Sequence, residues 1–121
     1  MDSAWADPGG SGGGVPPDRR PQAPYECEAV AYTPDDRQCF PLGALPAATP
    51  RLALRWLMRR ARDITDQLDP RAARPGRHWI NDTAEHERAL ALLASGEPYV
   101  FTVFDDPMRY ALTARPTGAA R

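Results

Sequence analysis

Apolar and polar residues alternate along residues 25–33, "YECEAVAYT", and this period of two is typical of a half-buried β-strand. The turn-forming residues "PDDR" come next, since proline presets φ and aspartate bonds nearby backbone amides. "QCFPL" then predicts a second, shorter strand, which Pro41 either places at a sheet edge or ends. We expect these two strands to form a β-hairpin.

The four-residue loop of this hairpin predicts its register. Thr33 should face Gln38, and Tyr32 should face Cys39. Cys27 would then lie several residues along the ladder from Cys39, too far for a disulfide bond. Both thiols are therefore expected to be reduced.

A helical period replaces the alternation from Thr49 onward. Thr49 predicts an N-cap, and Pro50 suits the first helical position, where its missing N–H costs nothing. Apolar residues three and four apart then form one inner stripe, which comprises Leu54, Leu57, Ala61, Ile64 and Leu68. The pair Asp69–Pro70 predicts the end of the helix, because proline cannot continue its hydrogen bonds. The expected helix has about 20 residues and is about 30 Å long.

The segment "PRAARPGRH", residues 70–78, is interpreted as a basic linker. Asp82, followed three residues later by Glu85, matches the capping box and predicts a second helix that ends at Gly96. The inner face of this helix is expected to carry His86, Ala89, Leu90 and Leu93. "YVFTVF", "DDPM" and "RYALTA" then predict a second hairpin.

Together these patterns predict an α+β fold. Two β-hairpins flank two helices in the order ββααββ, and the hairpins form an antiparallel sheet with the helices on one face. The single domain is expected to span residues 25–115, after a disordered tail, residues 1–24, that holds five glycines and five prolines. Pro116 and Gly118 predict a frayed C-terminus over residues 116–121. Without a signal peptide or an apolar run long enough to cross a membrane, the chain is expected to be a soluble cytoplasmic protein.

Charge is uneven along the chain, although the formal net charge is only −1. Residues 51–78 hold eight arginines against three aspartates, and the segments on either side are both acidic. All fifteen basic residues are arginine, which excludes chemistry that requires lysine. A pI of about 6.1 argues against a protein that binds nucleic acid over its whole surface, since the pI of such domains usually exceeds about 9.

The outer face of the first helix is the strongest candidate for a functional surface. Leu52 and Trp56 lie one turn apart and off the inner stripe, so they either fold under the edge of the sheet or stay exposed as anchors for a partner. With arginines around them, they predict a non-catalytic binding or regulatory module that acts through a partner macromolecule. The predicted contact residues are Leu52, Trp56, Arg51, Arg55 and Arg59.

Nucleic-acid binding through the arginine-rich helix 51–62 and the linker 71–77 is the alternative. The residues that would contact phosphates are Arg51, Arg55, Arg59, Arg62, Arg71, Arg74 and Arg77. Asp63 and Asp66 lie four residues after two of these arginines, and such ion pairs would neutralise part of the face. The inner stripe also permits helix pairing and hence a homodimer, although packing within one subunit explains it equally well.

Catalytic, metal and cofactor sites find little support. The chain has no glycine-rich phosphate loop after a strand, and no motif for a nucleophilic serine or a zinc protease. Its two cysteines are twelve residues apart and its two histidines eight, unlike the close ligand pairs of zinc sites. His86 lies on an apolar face, where a histidine is more often structural than catalytic. We therefore expect no enzyme activity, no cofactor and no metal.

Overall fold

The computed structural model describes residues 23–118, and the predictions for residues 1–22 and 119–121 lie outside them. Within that range the elements along the chain are β1 Tyr25–Tyr32, β2 Cys39–Ala47, α1 Pro50–Thr65, α2 Pro70–Ile80, α3 Thr83–Ala94, β3 Tyr99–Asp105 and β4 Met108–Pro116. The α+β class and the antiparallel sheet are confirmed, whereas the predicted count of two helices is wrong, because residues 23–118 form three. None of these three helices has the length and apolar character that a membrane crossing requires.

The four strands form one antiparallel sheet in the order β2-β1-β4-β3. The first hairpin has the predicted register: Tyr32 pairs with Cys39, and the Thr33 amide donates a hydrogen bond to the Gln38 carbonyl at 3.1 Å. Cys27 lies farther along the ladder, and both cysteines are free thiols. The two hairpins thus place β1 and β4 at the centre of the sheet and leave β2 and β3 as its edges.

The length of β2 differs from the prediction. It is not the shorter strand of the hairpin, because it runs for nine residues against eight in β1 and passes through Pro41. An edge strand tolerates a proline whose nitrogen points away from the sheet. Pro41 therefore occupies an edge position without ending the strand.

α1 begins as predicted and ends earlier. The Thr49 hydroxyl accepts a hydrogen bond from the backbone N–H three residues later, at 3.1 Å. The helix ends at Thr65 and not at Asp69, because the amides of Gln67 and Leu68 bond to carbonyls only three residues earlier. The first four residues of the inner stripe are buried in the core, so the stripe packs within one chain and offers no seam for helix pairing.

The predicted linker is wrong, since residues 70–80 form α2. The Asp69 carboxylate accepts a hydrogen bond from the Ala72 amide at 3.0 Å, so the Asp–Pro pair that was expected to stop one helix begins the next. The buried face of α2 consists of Ala73, Gly76, Trp79 and Ile80. Alanine and glycine do not stand out as an apolar stripe, which is why the sequence pattern missed this helix.

α3 has both of its predicted ends. The Asp82 carboxylate accepts a hydrogen bond from the Glu85 amide at 3.1 Å, and Gly96 follows the helix at a φ of +91°. The predicted inner face points to the core, where His86, Ala89 and Leu93 are buried and Leu90 is partly buried.

The two ends of the described chain lie side by side. β4 continues through Pro116, one residue past the predicted domain end. The Thr117 amide donates a hydrogen bond to the Pro24 carbonyl at 2.8 Å, and the Thr117 hydroxyl donates one to the Ala23 carbonyl at 2.7 Å. These bonds attach the end of β4 to the start of β1.

Candidate partner-binding groove

The helices cover the sheet unevenly. α1 packs mainly on β1 and β4 and less on β2, while α2 packs on β3 and α3 packs on β3 and β4. The helix-facing side of the edge strand β2 is therefore partly bare, and its side chains Phe40 and Leu45 are 50% and 41% exposed. We call the space between β2 and α1 the β2–α1 groove.

Beside the first half of α1, the groove contains a cavity of about 400 Å³. Four of the five partner contacts predicted from the sequence line this cavity: Leu52, Arg55, Trp56 and Arg59. The other lining residues come from β2 and the turn after it, namely Leu45, Pro46, Ala47 and Ala48. Arg51 does not line it and instead borders a shallow pocket between α1 and α3, together with Glu87 and Leu90.

Trp56 is the floor of the groove and not an exposed anchor. It is only 7% exposed, so it folds under the edge of the sheet. Gly43 of β2 makes this possible: its φ is +144°, and a Cβ at this position would lie 3.3 Å from the Trp56 ring and 3.1 Å from Arg60 Nε. The Arg60 guanidinium covers the indole ring at 5.5 Å from its centroid. Leu52, by contrast, is 44% exposed.

The arginines at the rim of the groove, Arg55 and Arg59, are not neutralised by neighbouring carboxylates in the described chain. The expected pairs between positions four apart do not form, because Asp63 pairs with Arg60 at 3.4 Å and Asp66 pairs with Arg77 at 3.2 Å. Among residues 23–118, no carboxylate forms an ion pair with Arg55 or Arg59. Beside the first half of α1, the rim of the groove is therefore cationic.

A second cavity, of about 490 Å³, continues the groove beside the C-terminal half of α1. Its apolar lining includes Phe40, Leu42, Ile64, Leu68 and Tyr110, and its polar lining includes Arg60, Asp63, Gln67 and Asp105. Because Arg60 and Trp56 meet Gly43 between the two cavities, they divide the groove into two halves. The sequence pattern missed Phe40, Leu42 and Leu45, since only the strand order shows that α1 leaves them partly exposed.

The arginines predicted for the nucleic-acid alternative lie on two helices. Arg71, Arg74 and Arg77 belong to α2 and not to a linker. Arg77 has partners within the protein: it forms an ion pair with Asp66, and it donates a hydrogen bond to the Thr65 carbonyl at 3.3 Å. The other six are exposed and, among residues 23–118, have no carboxylate partner.

His86 and the cysteines do not line either cavity of the groove. His86 is 8% exposed, its Nε2 is 2.7 Å from the Trp79 carbonyl oxygen, and its ring packs edge-on against the Trp79 indole. Burial raises the pKa of the Cys27 thiol to about 11, which keeps it protonated at neutral pH. Within residues 23–118, no group of three or more His, Cys, Asp or Glu side chains is placed to hold a metal ion.

A partly buried polar network joins α2, α3 and β3. The Trp79 indole N–H donates a hydrogen bond to the Tyr99 hydroxyl, which donates one to the Glu85 carboxylate, each at 2.8 Å. Arg88 grips the same carboxylate with two hydrogen bonds, and these bonds hold the pKa of Glu85 below its usual value. Burial raises the pKa of Tyr99 to about 12. Since the Tyr99 hydroxyl uses both its donor and an acceptor site here, the network fastens the elements together.

Beside the first half of α1, the β2–α1 groove combines an apolar floor with a cationic rim. Such a surface is suited to noncovalent recognition of a segment that carries both apolar and acidic side chains. No protein-family model, no curated protein and no solved structure matches the chain.

Proposed function

We propose that this protein is a non-catalytic binding or regulatory module whose β2–α1 groove receives a segment of a partner protein. One observation carries the proposal: Leu45 and Leu52 are exposed in one cavity beside Arg55 and Arg59, which have no ion-pair partner among residues 23–118. The partner segment would place apolar side chains on the leucines and carboxylates on the arginines. We expect it to be acidic and amphipathic.

The energetics favour this partner chemistry. Burying the exposed leucines contributes roughly 25 cal/mol for each Å² removed from water. Arginine grips a carboxylate with two parallel hydrogen bonds, which also sets the direction of the bound segment. Trp56 contributes indirectly, because its buried ring supports the floor on which the segment would lie.

A labelled synthetic peptide with leucine and glutamate at helical spacing tests the proposal by fluorescence anisotropy. Arg55→Glu should weaken binding at least about tenfold, because it places a like charge in the cavity. Leu52→Ser should weaken binding without unfolding the protein, since this side chain is already 44% exposed. Arg74→Glu is the matched control, an exposed arginine on α2 outside the groove.

Two results would contradict the partner-groove proposal. One is equal loss of binding in Arg55→Glu and Arg74→Glu, which would reveal attraction to general positive charge. The other is equal binding of a peptide in which lysine replaces glutamate. Either result would remove the groove as the recognition surface.

Nucleic-acid binding remains a second candidate, because six exposed arginines on α1 and α2 lack a carboxylate partner among residues 23–118. Binding of the full chain to labelled duplex DNA or RNA would then fall with salt. Four phosphate contacts predict a log–log slope of about −3.6. Here Arg74→Glu should weaken binding as much as Arg55→Glu, and Leu52→Ser should have no effect, the reverse of the pattern expected for a protein partner.

A further inference from the structure

The direction of the backbone groups in the two edge strands follows from the register. In an antiparallel sheet, the N–H and C=O groups of successive residues point to opposite neighbours. The Thr33–Gln38 hydrogen bond shows which residues of β1 face β2, and the strand pairings extend this assignment through β4 to β3. Val100, Thr102 and Phe104 therefore direct their N–H and C=O groups to the free edge of β3.

The free edge of β2 is protected. The positions that point outward there are Cys39, Pro41, Ala44 and Pro46, and two of these four residues have no N–H to donate. The register also shifts between Ala29 and Val30, which places a bulge in the middle of the strand. Prolines and bulges are the devices by which edge strands avoid pairing with another chain.

The free edge of β3 has neither device. Residues 99–104, "YVFTVF", contain no proline and no charge, and the residues are aromatic or β-branched throughout. Val100 and Phe104 are 55% and 63% exposed on the face of the sheet away from the helices. Uncharged edges of this kind are templates for a further strand.

We propose that β3 pairs antiparallel with β3 of a second copy, so that two four-stranded sheets join into one sheet of eight strands. Thr102 lies midway between Val100 and Phe104, and a two-fold axis there places Thr102 opposite its copy and Val100 opposite Phe104 of the second copy. Three outward N–H groups and three outward C=O groups from each chain then form six backbone hydrogen bonds. The interface uses the opposite edge from the Leu45–Leu52 cavity that carries the proposed function, and it shares only Asp105 with the second cavity of the groove.

Charge and geometry are compatible with this symmetric pairing. Asp105 is the only charged residue of β3, and it would lie opposite the uncharged Tyr99 of the second copy. The two copies of Asp105 would be about 20 Å apart, at about 3.4 Å for each residue. The interface is narrow, so we expect a reversible dimer with micromolar affinity.

Sedimentation velocity of the full chain over about a 100-fold concentration range tests this interface, since a homodimer responds to concentration. The wild type should shift from monomer to dimer. Thr102→Pro removes an N–H that the monomer does not use, and Thr102→Lys places two like charges at the axis. Each variant should raise the dissociation constant at least about tenfold. Ala44→Pro is the matched control, since it makes the same change at the free edge of β2.

Circular dichroism reports whether each variant folds. If Thr102→Pro does not fold, Thr102→Lys alone tests the interface. Retention of the dimer in Ala44→Pro together with its loss in Thr102→Lys would support the β3 interface. A wild type that stays monomeric across the range would overturn it. So would a Thr102→Lys variant that dimerises like the wild type, or a dimer that Ala44→Pro abolishes.

Discussion

The two edge strands of the sheet differ in what they expose. β2 exposes side chains, and β3 exposes backbone hydrogen-bonding groups. Along its free edge β2 lacks N–H donors at Pro41 and Pro46, yet the side chains of Phe40 and Leu45 are half exposed because α1 covers β2 only in part. β3 does the reverse. Its helix-facing side chains pack under α2 and α3, while three consecutive outward positions leave their backbone groups without a partner strand in the described chain.

In the two proposals made above, this difference gives each edge a different kind of recognition. A groove of exposed side chains beside a protected backbone favours contacts made by leucine and arginine side chains. An unprotected backbone whose inner face packs against helices favours main-chain hydrogen bonding, which depends little on sequence. One sheet can thus present two surfaces that do not compete.

The largest expected effect on the free energy of unfolding distinguishes the helix-facing side of β3 from that of β2. Trp79 is 3% exposed and stacks on Phe101 of β3 with ring centroids 4.5 Å apart. Trp79→Ala should lower the free energy of unfolding by about 3–5 kcal/mol. Phe40→Ala on β2, where half of the ring is already exposed, should cost less than about 1 kcal/mol. Urea unfolding measures both, and similar losses would show that β2 is as well covered as β3.

The second largest expected effect on the free energy of unfolding comes from the packing of α2 against α1. A Cβ on Gly76 would overlap the Thr65 methyl group of α1, so Gly76→Ala should lower the free energy of unfolding by about 1–3 kcal/mol. Thr65→Ser removes that methyl group and keeps the hydroxyl that donates to the Arg62 carbonyl. The double variant should therefore recover most of the loss. A double variant that is no more stable than Gly76→Ala alone would contradict the close contact of α1 and α2.

The polar network of Trp79, Tyr99 and Glu85 predicts a smaller change in the free energy of unfolding, and this change depends on pH. In the folded protein Tyr99 keeps its proton to a pH of about 12, whereas its usual pKa is 10.0, so the unfolded chain loses the proton first. Stability should therefore fall as pH rises from about 10 to about 12. Cys27, whose pKa is raised from 9.0 to about 11, should add a similar loss that begins near pH 9.

Thermal unfolding of Tyr99→Phe against pH isolates the tyrosine. This variant should lose about 1–3 kcal/mol at neutral pH, because the Trp79 N–H and the Glu85 carboxylate each lose a partner. Its stability should then fall less steeply above pH 10 than that of the wild type. Cys27→Ala serves as the control, since it should remove only the earlier decline. Parallel alkaline profiles for the wild type and Tyr99→Phe would contradict the raised pKa of Tyr99.

Local patterns predicted much of the fold. The alternation of residues 25–33, the four-residue loop and the caps at Thr49, Asp82 and Gly96 each concern neighbours in sequence, and the structure has all of them. α2 escaped prediction because its buried face relies on small residues.

The candidate site depended on features that a local pattern does not contain. Trp56 could be assigned to the outer side of its helix, but its burial depends on Gly43, a residue of another strand that allows close approach. The four-residue spacing predicted the wrong partners for Asp63 and Asp66. Arg60 and Arg77 pair with these aspartates instead, and Arg77 belongs to α2, a helix that the sequence pattern did not predict. The groove itself exists only because of the strand order, which leaves β2 covered only in part by α1.

Amide hydrogen exchange, measured by NMR at low and high protein concentration, tests the contrast between the two edges most directly. The amides of Val100, Thr102 and Phe104 should exchange rapidly in dilute protein and become protected as the concentration rises, while the amide of Ala44 on β2 exchanges rapidly throughout. Phe101 and Val103, which bond to β4, should be protected at both concentrations. Protection gained at Ala44, or unchanged exchange at Thr102, would contradict the assignment of side-chain recognition to β2 and main-chain recognition to β3.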